Sequence, residues 1–489
     1  MLCTTIDMRH RMPALSASAL GAKLIFGSIA IVAATTFLYS QSLRKAPGAE
    51  VFTLTPQPGP FTEPAIAIDP NKEEHIVAVF QDNAQASYSR DGGRTWKSAA
   101  GVAPANYKVS GDVSVAFDTQ GHAFICYIAF DKLGTFNYWA HHASRNGVFV
   151  RRSLDGGVTW ESNHVPVIEQ PTQPGIPFED KPYILSDTSK SRYAGNLYIG
   201  WTRWTLTNSQ ILFSRSTDDG ETWSSPIEID RQPGLPRDDN GAAEGFAGAT
   251  GPDGRLYAIW SQDDDIFFTV SRDGGKTFFR ARPIIHTAPI MFAVQTLERA
   301  NGFPQIAIDP RSQRLFVTWS DYRNGDLDVF CSTSTDHGKH WSAPVRVNTD
   351  PVHDGAEQFF QWLAVDPKDG TPYVLFYDRR RDPTNKMQSV TLARSTDEGS
   401  SFQNYAWTTE MFDADGVFFG DYTGIAASGG RVYGVWMEKP AAAESAGKTE
   451  TAEPEGKKES DLAKKPVEPK AKPGTIIKVG VADFTGIAK

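Results

Sequence analysis

Six copies of one eight-residue pattern recur along the chain, and a repeat of this kind constrains the fold more than any other feature of the sequence. The first copy is SRDGGRTW, from Ser89 to Trp96, and every copy keeps Ser-x-Asp-x-Gly and ends on Trp or Phe. The aspartates of the six copies are Asp91, Asp155, Asp218, Asp273, Asp336 and Asp397. Neighbouring aspartates lie between 55 residues apart (218 to 273) and 64 residues apart (91 to 155). The chain is therefore built from repeated units of similar length.

The residue types in the pattern predict a turn. An aspartate side chain accepts hydrogen bonds from nearby backbone N–H groups, and glycine adopts a positive φ without strain. The closing Trp or Phe supplies apolar bulk that can be buried beneath the turn. Thr precedes that aromatic residue except in the fifth and sixth copies, which have His340 and Ser401.

The pattern resembles the Asp boxes, or BNR repeats, of the β-propellers of the sialidase superfamily. The resemblance implies that each box lies on the turn between the third and fourth strands of a blade, away from an active site. All six aspartates are then structural residues. A fold does not by itself establish an activity.

Each unit also carries two strand-like runs before its Asp box. In the first unit these are Pro64 to Pro70 and Ile76 to Phe80, which are rich in apolar and β-branched residues and are bounded by turn residues. Equivalent first strands begin near Asp112, Lys181, Glu244, Pro304, Phe360 and Asp421. There are thus seven unit starts for six boxes.

The seventh unit explains the difference. It has two strands, Thr423 to Ala427 and Val432 to Trp436, followed by a segment from 441 to 473 that is rich in Ala, Lys, Glu and Pro. Such a composition predicts a disordered insertion. We expect Ile476 to Ala482 to be the third strand of this unit and Val51 to Thr55 to be its fourth, so that both ends of the chain close one ring.

These observations predict an all-β chain: a β-propeller of seven four-stranded blades, with six blades as the alternative. The propeller domain spans 51–440, and 474–489 supplies the closing strand and a tail. Residues 1–23 are basic, and the apolar segment at 24–40 predicts a helix that is either a signal-anchor or a signal peptide. We favour the anchor, with the propeller on the periplasmic or extracellular side; cleavage would give a secreted protein.

Composition excludes some classes of function. A formal charge of −9 argues against a nucleic-acid surface, which requires a basic face. Three cysteines do not form a disulfide framework, and Cys126 and Cys331 are expected to be buried free thiols. No motif predicts a metal site or a cofactor. We expect a monomer whose partners are a glycan or glycoconjugate and, through the N-terminal segment, a membrane.

The starts of the first strands are expected to surround the mouth of the central channel. Carboxylates and arginines concentrate at these positions and in the loops between second and third strands, where polar ligands can bind. From this set we select Glu63, Asp180, Asp421, Arg203, Arg323 and Arg379 as candidate substrate-binding residues. Pairing of each Asp with a neighbouring Arg is the alternative interpretation.

The resemblance to sialidases implies catalytic roles for three further residues. Tyr422 matches the nucleophilic tyrosine of that family, Glu244 matches the glutamate that activates it, and Asp112 matches the aspartate that acts as acid and base. Arg323 and Arg379 could be two of the three arginines that bind the substrate carboxylate. An Arg fork suits a carboxylate, and a glutamate can accept the proton of a tyrosine.

One position departs from the family pattern. Sialidases carry an arginine in an Arg-Ile-Pro or Arg-Leu-Pro motif before the first strand, whereas this chain has Phe61-Thr62-Glu63-Pro64. Two hypotheses therefore stay open. The protein is a sialidase-like hydrolase of a glycan, for which Glu63 or Glu244 with Asp112 could also serve as a carboxylate pair. Alternatively, it is a non-catalytic propeller that binds carbohydrate or protein on the same face.

Overall fold

The structure, a computed structural model, describes residues 43–487 except 82, 100–101, 103–105, 132–144, 173–175, 231, 238, 240, 289–293 and 442–473. The predicted helix at 24–40 and nearly all of the predicted insertion at 441–473 lie outside these residues. Every regular element within them is a β-strand, and they contain no helix that is long and apolar enough to span a membrane.

Thirty strands follow one another along the described chain. Two precede the first blade: β1 (Arg44–Lys45) and β2 (Glu50–Thr53). Blade 1 contains β3 (Thr62–Asp69), β4 (Lys72–Gln81), β5 (Gln85–Ser89) and β6 (Lys97–Ala99). Blade 2 contains β7 (Val109–Phe117), β8 (Ala123–Phe130), β9 (Asn146–Ser153) and β10 (Val165–Gln170). Blade 3 contains β11 (Phe178–Ser186), β12 (Leu197–Trp204), β13 (Ser209–Ser216) and β14 (Ile227–Glu228).

The second half repeats the same order. Blade 4 contains β15 (Glu244–Thr250), β16 (Leu256–Gln262), β17 (Asp265–Ser271) and β18 (Arg282–His286). Blade 5 contains β19 (Gln305–Ile308), β20 (Leu315–Asp321), β21 (Asp328–Ser334) and β22 (Val345–Arg346). Blade 6 contains β23 (Gln358–Val365), β24 (Pro372–Asp378), β25 (Met387–Arg394) and β26 (Gln403–Ala406), followed by the short β27 (Phe412–Asp413). Blade 7 contains β28 (Gly424–Ser428), β29 (Arg431–Glu438) and β30 (Ile476–Asp483).

The strands form seven antiparallel sheets, which confirms the count of seven blades. Six of the sheets have four strands, and blade 6 has six because β1 joins β26 in parallel and β27 pairs with β25. Within each blade, consecutive strands are neighbours, so the first strand is always at one edge of its sheet.

The seventh blade closes the ring as the sequence predicts. Strand β30 pairs with β29 from Ile476 to Asp483, and its other edge pairs with β2, which comes from the N-terminal side. Val51 lies opposite Gly480, for example, and the N–H of Ile477 donates to the Thr55 hydroxyl at 2.9 Å. Segments more than 400 residues apart in sequence are thereby hydrogen-bonded in one sheet, which leaves no open gap between the first and last blades.

The core lies between the blades. The second strands are almost fully apolar and buried, because a sheet that packs against a neighbour on each face has no solvent side. All eight residues of β8 are buried, and Trp201, Trp260, Trp319 and Trp436 on other second strands are fully buried. Cys126 and Cys331 are buried free thiols in this core, as expected.

The six Asp boxes lie on the turns after the third strands, as the resemblance implies. In the first box, Asp91 Oδ1 accepts from the N–H of Thr95 at 2.9 Å and Oδ2 accepts from the Thr95 hydroxyl at 2.6 Å. The N–H of Gly93 donates to the Ser89 hydroxyl at 2.9 Å. The hydrogen bonds to Asp91, led by that from the Thr95 hydroxyl, lower the pKa of Asp91 to about 2.

The two exceptional boxes preserve this hydrogen-bond pattern with other side chains. In the fifth box the ring Nδ1 of His340 contacts Asp336 Oδ2 at 2.6 Å, and in the sixth box the Ser401 hydroxyl donates to Asp397 Oδ2 at 2.6 Å. A Thr, a Ser and a His at this position therefore meet the same geometric need.

We expect the substitution Asp91→Asn to lower the Tm by about 2 °C at pH 7, because Asn cannot accept the Thr95 hydroxyl at Oδ2. The folded pKa of Asp91 is below its unfolded value, so its stabilising effect is present above about pH 4 and is lost as pH falls toward about 2. The difference from wild type should shrink over that range. Thermal unfolding at several pH values measures it, with Glu410→Gln at an exposed carboxylate as the control. A difference that grew at low pH would contradict the hydrogen-bond pattern.

Candidate functional site

A cavity of about 1110 Å³ opens at the end of the propeller opposite the Asp boxes. The first strand of each blade begins at this end of the propeller and runs to the other end. The second strand returns, and the third strand runs away from the cavity again, so that it ends at the Asp box. Five sequence-predicted residues line the cavity: Glu63, Asp112, Asp180, Glu244 and Asp421. Its walls also carry apolar side chains, among them Ile128, Phe130, Phe178 and Phe418.

A repeated β-bulge places side chains at the cavity floor. In five blades the pairing of the first strand with the second skips a step, so that two residues of the first strand oppose one residue of the second. The first residue of each bulge has a positive φ; these residues are Glu63 (52°), Asp112 (47°), Lys181 (46°), Gly245 (75°) and Phe360 (52°). The equivalent residues in blades 5 and 7, two before the paired Gln305 and Gly424, are Phe303 and Tyr422.

The residues at the seven equivalent positions differ between the two halves of the ring, and three of them, Glu63, Asp112 and Lys181, line the cavity. Blades 7, 1, 2 and 3 contribute Tyr422, Glu63, Asp112 and Lys181, whereas blades 4, 5 and 6 contribute one glycine and two phenylalanines. A left-handed conformation costs a non-glycine residue about 1–3 kcal/mol, and such strain concentrates at functional sites. Three charged residues share this strained conformation at one end of the channel.

Hydrogen bonds connect the bulges of neighbouring blades. The N–H of Asp112 donates to Gln81 Oε1 at 3.1 Å, and Gln81 also bonds the Thr62 hydroxyl. Asp112 Oδ2 in turn accepts from the N–H of Lys181 at 3.1 Å. Blade 1 therefore fixes the bulge of blade 2, blade 2 fixes that of blade 3, and the carboxylate of Asp112 is held in one orientation.

Glu63 is the most perturbed carboxyl of the site. Its side chain is 2% exposed, and burial, followed by the negative charges of Asp112 and Asp421, raises its pKa well above the usual value. Gly420 packs directly on it, since a Cβ added to Gly420 would lie 2.4 Å from Glu63 Cγ. A carboxyl held in this way keeps its proton at pH values where exposed glutamates are ionised.

Tyr422 lies below the cavity, where its environment opposes ionisation. Its hydroxyl donates to the Val113 carbonyl oxygen at 3.2 Å, and its ring packs 5.4 Å from that of Trp362. Burial, and then the charges of Glu63 and Asp112, raise the pKa of Tyr422 well above its usual value. The phenol is therefore neutral and its proton is held by Val113, an arrangement that suits a floor residue better than a nucleophile.

Two long loops meet above the cavity through an ion pair that the sequence did not reveal. Arg299, between β18 and β19, donates from Nε to Asp421 Oδ1 and from Nη2 to Asp421 Oδ2, both at 2.6 Å. Its guanidinium also lies 5.3 Å from the centre of the Phe418 ring. A bidentate pair of this kind is strong and orienting. Arg299 lies six positions before the first strand of blade 5. The sequence analysis considered only the residues at the starts of first strands and therefore did not select it.

The three arginines chosen from the sequence contact the protein's own groups. Arg203 Nη2 lies 2.6 Å from Glu179 Oε1, and Arg323 Nη2 lies 2.5 Å from Asp321 Oδ2. Both partners are buried carboxylates. The Asp321–Arg323 pair is of the Asp–Arg type that the alternative interpretation named, within one turn, and Arg203 pairs with a glutamate on the adjacent strand.

Arg379 holds the loop that carries Arg299. Its side chain is 0% exposed, and Nη1 donates to the carbonyl oxygens of Gln295 and Asn385, each at 2.8 Å. Nη2 donates to the Thr296 hydroxyl at 3.1 Å. Burial lowers the pKa of Arg379 to about 10. Arg379 therefore acts on the cavity through the loop it anchors.

We expect Arg379→Gln to lower the free energy of unfolding by about 3 kcal/mol, because two partly buried loop carbonyls and the Thr296 hydroxyl lose their donor. Arg381→Gln is the matched control. Arg381 is two residues away and makes one bond to the Thr409 carbonyl oxygen, so its loss should cost under about 0.5 kcal/mol. Urea denaturation measures both values. Equal stability of the two variants would contradict the anchoring role of Arg379.

Outside the cavity, one group of side chains contains residue types that can bind a metal ion. Among the described residues, Asp118, His122 and Asp219 place ligand atoms within 4.8 Å of one another at the Asp-box end. Arg152 Nη1 already lies 2.8 Å from Asp219 Oδ2 and supplies a positive charge there. The group connects blades 2 and 3, and it is remote from the cavity.

The sequence matches no protein-family model and no curated protein. Similar solved structures include a protein of unknown function from Dyadobacter fermentans, at 13% identity and a TM-score of 0.46, covering 76% of this chain and 94% of that one. The Hadza microbial sialidase Hz136 is 16% identical with a TM-score of 0.44, covering 74% and 70%. The α-L-arabinofuranosidase of Fusarium graminearum bound to arabinobiose is 14% identical with a TM-score of 0.45, covering 69% and 93%. At these identities and scores the likeness carries no inference about activity.

Proposed function

We propose that the protein is a glycoside hydrolase that acts on a neutral glycan in the cavity at the channel mouth. The observation that carries this proposal is the pair formed by Glu63, a carboxyl whose pKa is strongly raised, and Asp112, a second carboxyl close enough to contribute to that shift. Most glycoside hydrolases cleave the glycosidic bond with two carboxyl groups whose environments give them different pKa values.

In this proposal Glu63 is the general acid. Because its pKa is raised well above the usual value, Glu63 keeps a proton that it can donate to the glycosidic oxygen as the bond breaks. Asp112 is the second carboxylate, which stabilises the positive charge that develops on the sugar, or activates water. Its orientation is fixed by the backbone N–H of Lys181. Glu244, Asp180 and Asp421 line the same cavity and would contact other parts of the glycan.

The charge of the cavity favours a neutral substrate over a sialoside. The described lining contains seven acidic side chains, Glu63, Asp112, Asp180, Glu244, Glu298, Asp415 and Asp421, and three basic ones, Lys108, Lys181 and Arg299. Arg299 is already paired with Asp421. A substrate carboxylate would be repelled by the excess of negative charge. The tyrosine mechanism of sialidases is also disfavoured, because Tyr422 is a buried and neutral phenol.

Hydrolysis of a panel of neutral aryl glycosides and of the aryl sialoside by the protein tests this proposal. We expect turnover of at least one neutral glycoside and none of the sialoside. The substitutions Glu63→Gln and Asp112→Asn should each lower kcat by at least about 100-fold, because each removes one of the two acid–base groups. Tyr422→Phe should retain most of the activity, since its hydroxyl contacts only Val113 in the described structure.

The pH dependence supplies a second readout. Activity should fall as pH rises through the raised pKa of Glu63, because the acid form is lost. Folding responds in the same window: the folded chain binds this proton more tightly than the unfolded chain, so stability falls as pH rises from about 4 toward the folded pKa. Glu63→Gln should remove this fall. Turnover of the sialoside that Tyr422→Phe abolishes would contradict the proposal, and binding of a glycan without turnover would favour the non-catalytic propeller.

A further inference from the structure

The ammonium group of Lys181 lies at the cavity floor between two aromatic rings. Nζ is 4.1 Å from the ring centre of Phe303, in blade 5, and 4.2 Å from that of Tyr422, in blade 7. The residue is 8% exposed, and Nζ is buried without a hydrogen-bond partner among the described residues. Lys181 borders both the large cavity and a smaller space of about 80 Å³ beneath it.

This arrangement is unfavourable for the free protein alone. An ammonium removed from water loses the acceptors of three N–H donors, and buried charges are normally paired or hydrogen-bonded. Contact with ring faces replaces part of the lost hydration, but it gives the donors no acceptor. The strained φ of 46° at Lys181 also shows that the backbone is held so that this side chain enters the channel. An acceptor from outside the chain would complete the site.

The surroundings of the ammonium decide what kind of acceptor fits. The negative charges of Asp112, Asp421 and Asp180 all act on the phenol of the neighbouring Tyr422. A ligand carboxylate placed beside Lys181 would face these groups at short range. Hydroxyl and ring oxygens accept hydrogen bonds from an ammonium without adding negative charge, and the C–H faces of a sugar pack on Phe or Tyr rings.

We propose that Lys181 is the residue that binds the innermost sugar of the glycan, donating from Nζ to hydroxyl oxygens of a neutral sugar ring at the cavity floor. This inference rests on the proposed function in that it takes a glycan as ligand, but it does not require turnover. Lys181 is then a determinant of substrate specificity. It selects neutral sugars that place acceptor oxygens within reach of Nζ while their C–H faces pack on Phe303 and Tyr422.

The substitution Lys181→Met tests this role, because it keeps the apolar stem against the two rings and removes the charge and the donors. The free variant should keep a Tm within about 2 °C of wild type, since the apolar stem still packs between the rings and the ammonium that is lost makes no hydrogen bond to the described residues. Lys276→Met, at an exposed lysine in the Asp box of blade 4, is the control and should leave the Tm unchanged. A purely structural lysine would give a Tm lower by more than this.

Binding is measured by calorimetry and by the Tm shift with a panel of neutral hexoses and pentoses, each beside its uronic acid where one exists. We expect at least one neutral sugar to bind wild type and Lys276→Met and to bind Lys181→Met at least about tenfold more weakly. The matching uronic acid should bind wild type more weakly than the neutral sugar.

Each outcome decides between the two proposals. Loss of sugar binding in Lys181→Met supports the inference even if no glycoside is hydrolysed, in which case only the hydrolase assignment fails. Equal binding by Lys181→Met and wild type, no binding of any neutral sugar, or tighter binding of a uronic acid would overturn the inference. A Tm of Lys181→Met lower than that of wild type by more than about 2 °C would assign the residue to the scaffold instead.

Discussion

The positive φ at the start of the first strands is the constraint on which the rest of this site depends. An L-residue in that conformation brings its Cβ close to backbone oxygen, so the arrangement persists only where surrounding contacts hold it. Here those contacts come from neighbouring blades: Gln81 of blade 1 bonds the backbone of Asp112, and Asp112 bonds the backbone of Lys181. The bulges of blades 2 and 3 are therefore stabilised by the blade that precedes each of them, not by their own blade alone.

The arrangement of the blades also explains why the two ends of the propeller differ in the environment of their carboxyl groups. At the Asp-box end, each aspartate is satisfied by hydrogen bonds within its own turn. At the bulge end, side chains from different blades point to one axis, where Glu63, Asp112 and Lys181 share a small volume with two aromatic rings. Proximity of like charges and burial then raise the pKa of Glu63, whereas the same residue type on a blade's outer face would be solvated.

The sequence predicted the fold well because short sequence patterns that repeat along the chain determine it. The Asp boxes, the alternation of strand and turn residues, and the match of Val51 to Thr55 with Ile476 to Ala482 each involve short segments, and the seven blades and their closure follow from them. It also selected five carboxylates that line the cavity, because strand starts in a propeller converge on the axis.

The sequence could not predict which charged residues pair with one another. Arg203, Arg323 and Arg379 are residue types that bind ligands as readily as they pair within the protein. Asp321 is only two residues from Arg323, and the sequence allowed such pairing as its alternative, but the partner Glu179 of Arg203 and the loop carbonyls that Arg379 binds are defined by packing between segments. Arg299 reaches Asp421 across two loops whose paths no periodicity encodes. Lys181 stands at a strand start that was identified, yet its importance arises from Phe303 and Tyr422, which are distant in sequence.

The central claim is that Glu63 holds a proton beside Asp112 at the mouth of the channel. Infrared spectroscopy of the protein in heavy water, compared between wild type and Glu63→Gln, tests it without substrate. The account predicts that, as the pH is raised from about 4, the difference spectrum between wild type and Glu63→Gln keeps the carbonyl band of a protonated carboxylic acid after exposed carboxyl groups have ionised, and loses that band only at higher pH. A difference spectrum whose band disappears together with those of exposed carboxyl groups would contradict the account.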